Sequence, residues 1–390
     1  MASPITDRPA PSSNRSLVLA GQLAFFPTGI LTTILGPMLP ILIVRWALND
    51  TQAGNLFLVQ FLAQLAGVQL SGVLLSRLGY RPAFLLGLLL MASGTATILL
   101  GSVWLGLASI AIYGLGVGLI TPTDNLLISE ISSNSSGSSG AGAVSLLNFF
   151  WGVGAVFCSL MVAWTAAHNL LPFFLGGVSL LLVLLALSMR NLPFPPAAEP
   201  EHSSVAWLSL AKSPTIWIFA SIFFLYPGAE TAVGGWVGSY VSRLGPRGAA
   251  IASMMPAFFW TALTIGRALG SAFLHRVSER SVLRAGYAAG AAGIVLMLWG
   301  STLSIVIAAA LLTGLSFATL YPITVSRLTR RYGVGARSIG AVMFSLAAAG
   351  PAAIPWMVGV ISHATGSLRE GLFLPLAATL VLFVIHLFEW

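Results

Sequence analysis

Three ionisable side chains, Asp124, Glu230 and Arg267, lie well inside long apolar runs of this sequence. A charge in such surroundings is costly, so each needs a partner or an aqueous cavity, and a carboxylate placed there is suited to binding and releasing a proton or another cation. Glu230 stands in Tyr226-Pro227-Gly228-Ala229-Glu230, where proline removes a backbone donor and glycine loosens packing, the composition of an interrupted helix. It can carry the coupling cation or touch the substrate; the plainer alternative is a carboxylate satisfied by neighbouring hydroxyls and backbone. Asp124, six residues before Glu130, is the second candidate for the coupling cation. Arg267 lies toward the end of its run, where a long side chain can snorkel to water. That position groups it with Arg77, Arg81 and Glu130 as a cytoplasmic gate, whose charges would pair between helices when that end is shut. Solvated surface charge is the alternative reading of all four.

The polar and aromatic inventory inside the same runs suits a small hydroxylated solute, which asks for amides, hydroxyls and carboxylates beside aromatic platforms. Gln60 and Gln64 are one helical turn apart, Asn148 and Trp151 share a helix face, and Asn125, Tyr226, Trp236, Tyr321 and Thr324 complete the candidate substrate-binding set with Glu230. Helix-to-helix hydrogen bonding is the competing use of every one of them. With no basic residue expected at the centre, a neutral solute is favoured over an organic anion. The five histidines are scattered and the single cysteine, Cys158, lies in an apolar run, so neither a metal site nor a cofactor is expected. Neither H-E-x-x-H, G-x-S-x-G nor a P-loop occurs, which argues against an enzyme.

These residues need helices in a bilayer to hold them. Of the 390 residues, 57% are hydrophobic and 7% charged, too few charges to coat soluble domains. Runs of the roughly 20 residues needed to cross a bilayer recur twelve times, near 17–44, 52–75, 83–102, 104–130, 141–164, 172–189, 214–240, 250–274, 285–300, 302–326, 338–362 and 372–389. Residues 1–16 read as a disordered cytoplasmic tail, 17–189 as an N-terminal six-helix bundle, 190–213 as a proline-containing cytoplasmic linker and 214–390 as a C-terminal bundle. Most of the eighteen Lys and Arg then fall in the segments on the side of the N-terminus, which places both termini in the cytoplasm. The net charge of +8 follows that topology rather than a nucleic-acid surface. The halves align on one another: Phe26-Pro27 on Tyr226-Pro227, Gly114-Leu115 on Gly314-Leu315, Pro122 on Pro322, Arg77 on Arg276, Gly152 on Gly350. Parallel six-helix repeats imply an all-α membrane protein with its site between the halves, near the midplane, and rocking for alternating access.

The loop Gly72-Val-Leu-Leu-Ser76-Arg77-Leu78-Gly79-Tyr80-Arg81 resembles the G-xxx-D-R-x-G-R-R motif of the major facilitator superfamily, with Ser76 in place of the motif's aspartate. Within that superfamily, LFLVQFLAQLAGVQLSG, LLNFFWGVGAV, YPGAETAVGGWVGSY and ATLYPITVSR are similar to the fucose-permease and sodium-dependent glucose transporter group. The resemblance implies uptake of a hexose or deoxyhexose by cation symport, the proton being the expected ion; sodium-coupled or facilitative sugar transport is an alternative. A drug or metabolite antiporter is another, disfavoured because span five lacks the antiporters' G-P-x-x-G-G run. One departure is that Thr121 stands where the group carries an acid before the asparagine, here Asn125. The expected partners are a sugar, a coupling cation and the lipid bilayer, for a monomer in a bacterial inner membrane.

Overall fold

The computed structural model describes residues 11–135, 141–195, 213–273, 277–300, 302–332 and 336–388. Most of the proposed linker and the first ten residues of the tail lie outside these. The first half comprises α1 (Pro11–Thr33), α2 (Leu35–Arg45), α3 (Asp50–Leu78), α4 (Tyr80–Thr97), α5 (Val103–Ser135), α6 (Ala141–Ala167) and α7 (Leu171–Met189). The second comprises α8 (Pro214–Ser242), α9 (Pro246–Ile251), a 3-10 turn (Ala252–Met254), α10 (Met255–Phe273), α11 (Glu279–Trp299), α12 (Leu303–Phe317), α13 (Leu320–Tyr332), α14 (Ala336–Thr365), α15 (Leu368–Gly371) and α16 (Phe373–Leu387). No strand occurs among the described residues.

Eleven helical stretches are long and apolar enough to cross a membrane among the described residues, and α4, whose first turn holds Tyr80, Arg81 and Pro82, completes the architecture of two six-helix bundles. Helix α1 begins at Pro11, inside the segment read as tail; proline is at home in a first turn, where its missing N–H is not needed.

Several expected spans are interrupted. Span one divides at Ile34 into α1 and α2, span eight opens through α9 and the 3-10 turn, and span ten divides at residues 318–319. Span seven, by contrast, is continuous through Pro227. The predicted interruption there is absent because the neighbouring helix holds α8 in line: a Cβ on Gly228 would press on Ile354 and the Gly350 carbonyl of α14.

The pairing of helices repeats between halves. Helix α1 packs on α6 as α8 packs on α14, α3 on α5 as α10 on α12, and α4 on α5 and α7 as α11 on α12 and α16. Three of the aligned glycines, Gly114, Gly314 and Gly350, and Gly154, two residues after the aligned Gly152, are where these pairs touch. A Cβ on Gly114 would strike the Gln60 carbonyl of α3, and one on Gly314 the Phe259 carbonyl of α10; Gly154 meets the Phe26 carbonyl and Gly350 that of Phe224. Small residues let backbones approach where no water is available to drive helices together.

The halves meet through α3 with α14, α6 with α10 and α2 with α8. At the end away from the linker, Arg243 forks onto Asp50 (Nη2 to Oδ1 2.5 Å, Nη1 to Oδ2 3.0 Å), Ser362 donates to Asp50 at 2.5 Å, and Trp356 Nε1 donates to Asn55 Oδ1 at 3.0 Å. This clamp ties the two halves together at the far end. Toward the linker end, Gln69 bonds Ser345 at 2.9 Å.

Partly exposed ion pairs contribute about 0.2–1 kcal/mol, so Asp50→Asn should raise the far-end-open population by up to about fivefold. Cys158 is buried, which allows a clean reporter. Ala53→Cys, at a buried position beside the clamp, should be labelled faster by an impermeant maleimide when combined with Asp50→Asn. Equal labelling would show that the clamp does not hold the end shut.

Candidate functional site

Side chains on a helix lean toward its N-terminus. Helices α8 and α10 run in opposite directions, so Glu230, near the middle of α8, leans toward the linker end, while Arg267, in the last turns of α10, leans toward the centre. They converge: Arg267 Nη2 lies 3.6 Å from Glu230 Oε2, with Glu230 9% exposed. Arg267 therefore does not snorkel to the near water as the sequence suggested, because that would require it to point against its helix direction. The centre holds a base after all, and the argument for a neutral solute from its absence lapses.

Tyr226, one turn before Glu230, places its hydroxyl against the Glu230 carboxylate and 2.7 Å from the Phe317 carbonyl. The interruption after Phe317, two residues before the start of α13 with its Pro322, turns that carbonyl toward α8. A phenol has one hydrogen and cannot donate to both oxygens. If it serves Phe317, the contact with Glu230 is a full hydrogen bond only when Glu230 carries a proton. If it serves Glu230, the carboxyl needs no proton of its own for the contact and can face Arg267 ionised. Tyr321 stacks on Tyr226 with centroids 6.1 Å apart.

From the first half, Trp151 closes the site. Its ring lies 5.6 Å from the Arg267 guanidinium and 5.6 Å from Trp260, edge to face, and its Nε1 reaches Thr32 Oγ1 at 3.4 Å. Trp260, Thr264 and Arg267 stand at i, i+4 and i+7 on one face of α10. Trp260 Nε1, Thr264 Oγ1 and Arg267 Nε are buried and have no hydrogen-bond partner among the described residues. Thr264 Oγ1 lies 2.6 Å from where a Cβ on Gly152 would stand, so that face packs closely on α6 at the glycine. Buried polar groups rarely go unpaired, and three on one face mark a place where a ligand's polar atoms complete the pairing. Trp260, Thr264, Thr32 and Phe317 were not singled out from the sequence; the i, i+4, i+7 spacing was its one available signal.

The other candidates lie apart from this cluster or are spent on structure. Gln60 is wholly buried; its Nε2 donates to the Thr32 carbonyl at 2.9 Å and its Oε1 accepts from Tyr113 at 2.7 Å, bridging three helices. Trp236 is wholly buried, donates to the Pro355 carbonyl at 3.0 Å and packs on Phe57. Asn125, Asn148 and Thr324 bond backbone carbonyls of their own helices. Gln64 keeps a buried Oε1 without a hydrogen-bond partner among the described residues. Asp124 is wholly buried against Gly21 of α1, both oxygens without a hydrogen bond among the described residues. Glu130 accepts from Tyr80 at 2.7 Å, Arg81 donates to the Leu192 carbonyl, in the segment read as linker, at 2.8 Å, and Arg77 is exposed; neither of these two contacts crosses to the second half.

Leaving Tyr113 and the Thr32 carbonyl unpaired costs about 1–3 kcal/mol each at most. Gln60→Ala should thus lower the unfolding temperature in detergent by several degrees while leaving solute preference unchanged. A change of preference at unaltered stability would return Gln60 to the binding site.

The sequence profile of the Major Facilitator Superfamily matches residues 23–355. A glucose/galactose transporter of Brucella abortus is 24% identical over 375 residues, covering 88% of this chain and 87% of that protein. The fold is similar to that of the nucleoside transporter NupG (TM-score 0.79, 14% identity, covering 95% of this chain and 99% of that one) and of the E. coli fucose:proton symporter FucP (TM-score 0.64, 19% identity, covering 96% and 98%).

Proposed function

Since the chain belongs to the Major Facilitator Superfamily, whose members are membrane transporters rather than enzymes, we propose that it takes up a small neutral sugar, a hexose or deoxyhexose, together with a proton. The observation that carries this reading is the polar face of α10: the Trp260 indole N–H, the Thr264 hydroxyl and Arg267 Nε have no hydrogen-bond partner among the described residues, beside the Trp151 ring. Ring hydroxyls would satisfy the polar atoms while a sugar's apolar face rests on an indole. The similarity to the Brucella glucose/galactose transporter supports the same substrate class.

In this proposal Glu230 carries the proton, with Asp124 as the next candidate. Protonated, Glu230 bonds Tyr226 and leaves Arg267 to the solute; ionised, it recaptures Arg267. The two bundles, joined by the linker 190–213, rock about the solute, and Glu130, Arg77 and Arg81 exchange partners across the halves when the linker end shuts. That end is assigned to the cytoplasm from the distribution of arginines, in a bacterial inner membrane and as a monomer.

Arg267 also favours a second reading, an organic anion released or bound as Glu230 changes its proton. Uptake into proteoliposomes, screened over monosaccharides, nucleosides and carboxylate solutes with and without imposed proton and sodium gradients, separates the two. Hexose uptake driven by a proton gradient is the expected result. Flux of carboxylates without any hexose flux would overturn the sugar reading.

A further inference from the structure

Span ten is broken at residues 318–319, between α12 and α13. Across the break the Ala318 N–H reaches the Leu315 carbonyl at a long 3.4 Å and the Ile323 N–H reaches the Thr319 carbonyl at 3.2 Å, while Pro322 has no N–H to offer the Ala318 carbonyl. The carbonyl of Phe317, the last residue of α12, is held from outside the span: the Tyr226 hydroxyl of α8 lies 2.7 Å from it, and the same hydroxyl lies against Glu230. We propose that Tyr226 is a positioning residue whose single hydrogen ties the proton on Glu230 to this joint, so that loss of the proton frees α13 at the linker end.

The inference rests on the reading of Glu230 as the proton carrier and follows the phenolic hydrogen. With Glu230 protonated, the carboxyl donates to Tyr226 and Tyr226 donates to Phe317, a continuous chain that pins the end of α12 to α8. With Glu230 ionised, the carboxylate is a stronger acceptor than a carbonyl and draws the phenolic hydrogen to itself. A phenol has one hydrogen, so the Phe317 carbonyl then loses its partner where the helix is already broken.

The packing beyond the joint is that of a part able to move. Ile216 and Phe219 of α8, Leu328 of α13 and Met343 of α14 belong to a small buried cluster separate from the main core, and Tyr321, just past the break, touches both. The joint itself lies against small residues of α10: a Cβ on Gly266 would press on Ala318 and one on Gly270 on Thr319. Those glycines flank Arg267, the partner of ionised Glu230. Release of the proton toward the linker end and opening of that end therefore favour one another.

The test is hydrogen exchange of the α13 amides, read by mass spectrometry on the purified full chain in detergent from acid to alkaline pH, with each rate divided by the intrinsic rate at that pH. In the wild type, protection of α13 should fall about fivefold as Glu230 ionises, the effect of one net hydrogen bond, while the amides of α4 stay unchanged. Arg267, Tyr287 and Tyr321 also face the pair, but guanidinium and phenol groups ordinarily titrate at or above about 10, so a step at lower pH belongs to Glu230. Glu230→Gln should keep α13 protected at every pH, and Tyr226→Phe should leave it less protected at every pH, both without a step. A Tyr226→Phe profile that steps as the wild type does would overturn the proposal, and so would a wild-type profile without a step. Should Tyr226→Phe unfold, the comparison of wild type with Glu230→Gln decides, and equal profiles overturn the proposal. A wild-type step absent from Glu230→Gln, in a protein that shows no proton-driven sugar uptake, would uphold the joint and sink the sugar reading. Proton-driven uptake that is lost in Glu230→Gln, with no step in α13, would do the reverse.

Discussion

Glu230→Gln is expected to abolish accumulation of sugar against its gradient while sugar exchange between two loaded compartments survives. Glutamine has the shape of protonated glutamate and can still bond Tyr226, but it can neither take up nor release a proton. With one proton per sugar, a gradient of one pH unit is worth about 1.36 kcal/mol and sustains roughly a tenfold sugar gradient; in the variant the internal and external concentrations should equalise. Exchange needs only the neutral, occluded form, whose burial carries no charge penalty, and should fall by less than about tenfold. The measurement is radiolabelled sugar in proteoliposomes, once with an imposed proton gradient and once with sugar on both sides. Concentration persisting in the variant would move the coupling site, with Asp124 next in line. Loss of exchange together with loss of binding would make Glu230 a sugar ligand or a brace for Arg267.

The second large effect concerns the glycines at the crossings. In Gly350→Val and in Gly154→Val the new side chain would fall on a backbone carbonyl, of Phe224 and Phe26 respectively, and a carbonyl in a helix cannot swing aside as a side chain can. Overpacking of this kind costs about 1–3 kcal/mol even where a core can give, and total stabilities are about 5–15 kcal/mol. Parting α8 from α14 should exceed the first figure, so we expect little monodisperse protein on size exclusion. Gly176→Ala and Gly177→Ala are the controls: nothing lies within 4 Å of a Cβ at either position of α7, and alanine improves helix propensity by about 1 kcal/mol. Both should purify as the wild type does. Equal behaviour of all four variants would mean that the crossings are looser than their geometry.

The helices were legible from run length alone, because a bilayer fixes how much apolar chain a span needs, and the internal repeat showed in the very residues that make the crossings. Tyr226 and Glu230 were legible too, since i and i+4 share a face whatever surrounds them. The partner of Glu230 was not. Placing Arg267 required knowing that its side chain leans back along α10 and that α8 leans the opposite way, a property of pairs of helices rather than of either sequence segment. Pro227 misled for a related reason. Proline weakens a helix, but whether the helix gives way is decided by what packs on it, and Gly228 is wedged against α14, whereas residues 318–319 before Pro322 are interrupted. Gln60 looked like a ligand because an amide in a span must bond something; which partner it finds, Tyr113 and Thr32 here, depends on helix rotation.

The two halves repeat, yet the clamp at the far end does not. Asp50, Arg243 and Ser362 bind one side of the seam between the halves. Carried across by the internal alignment, their counterparts are Ala249, Ile43 and Trp164, which offer no charge to one another. The far end thus has a charged latch on one edge that the internal repeat does not copy onto the other. When the latch lets go, the edge it holds should be the one freed, and a solute arriving from that end would enter past Asp50.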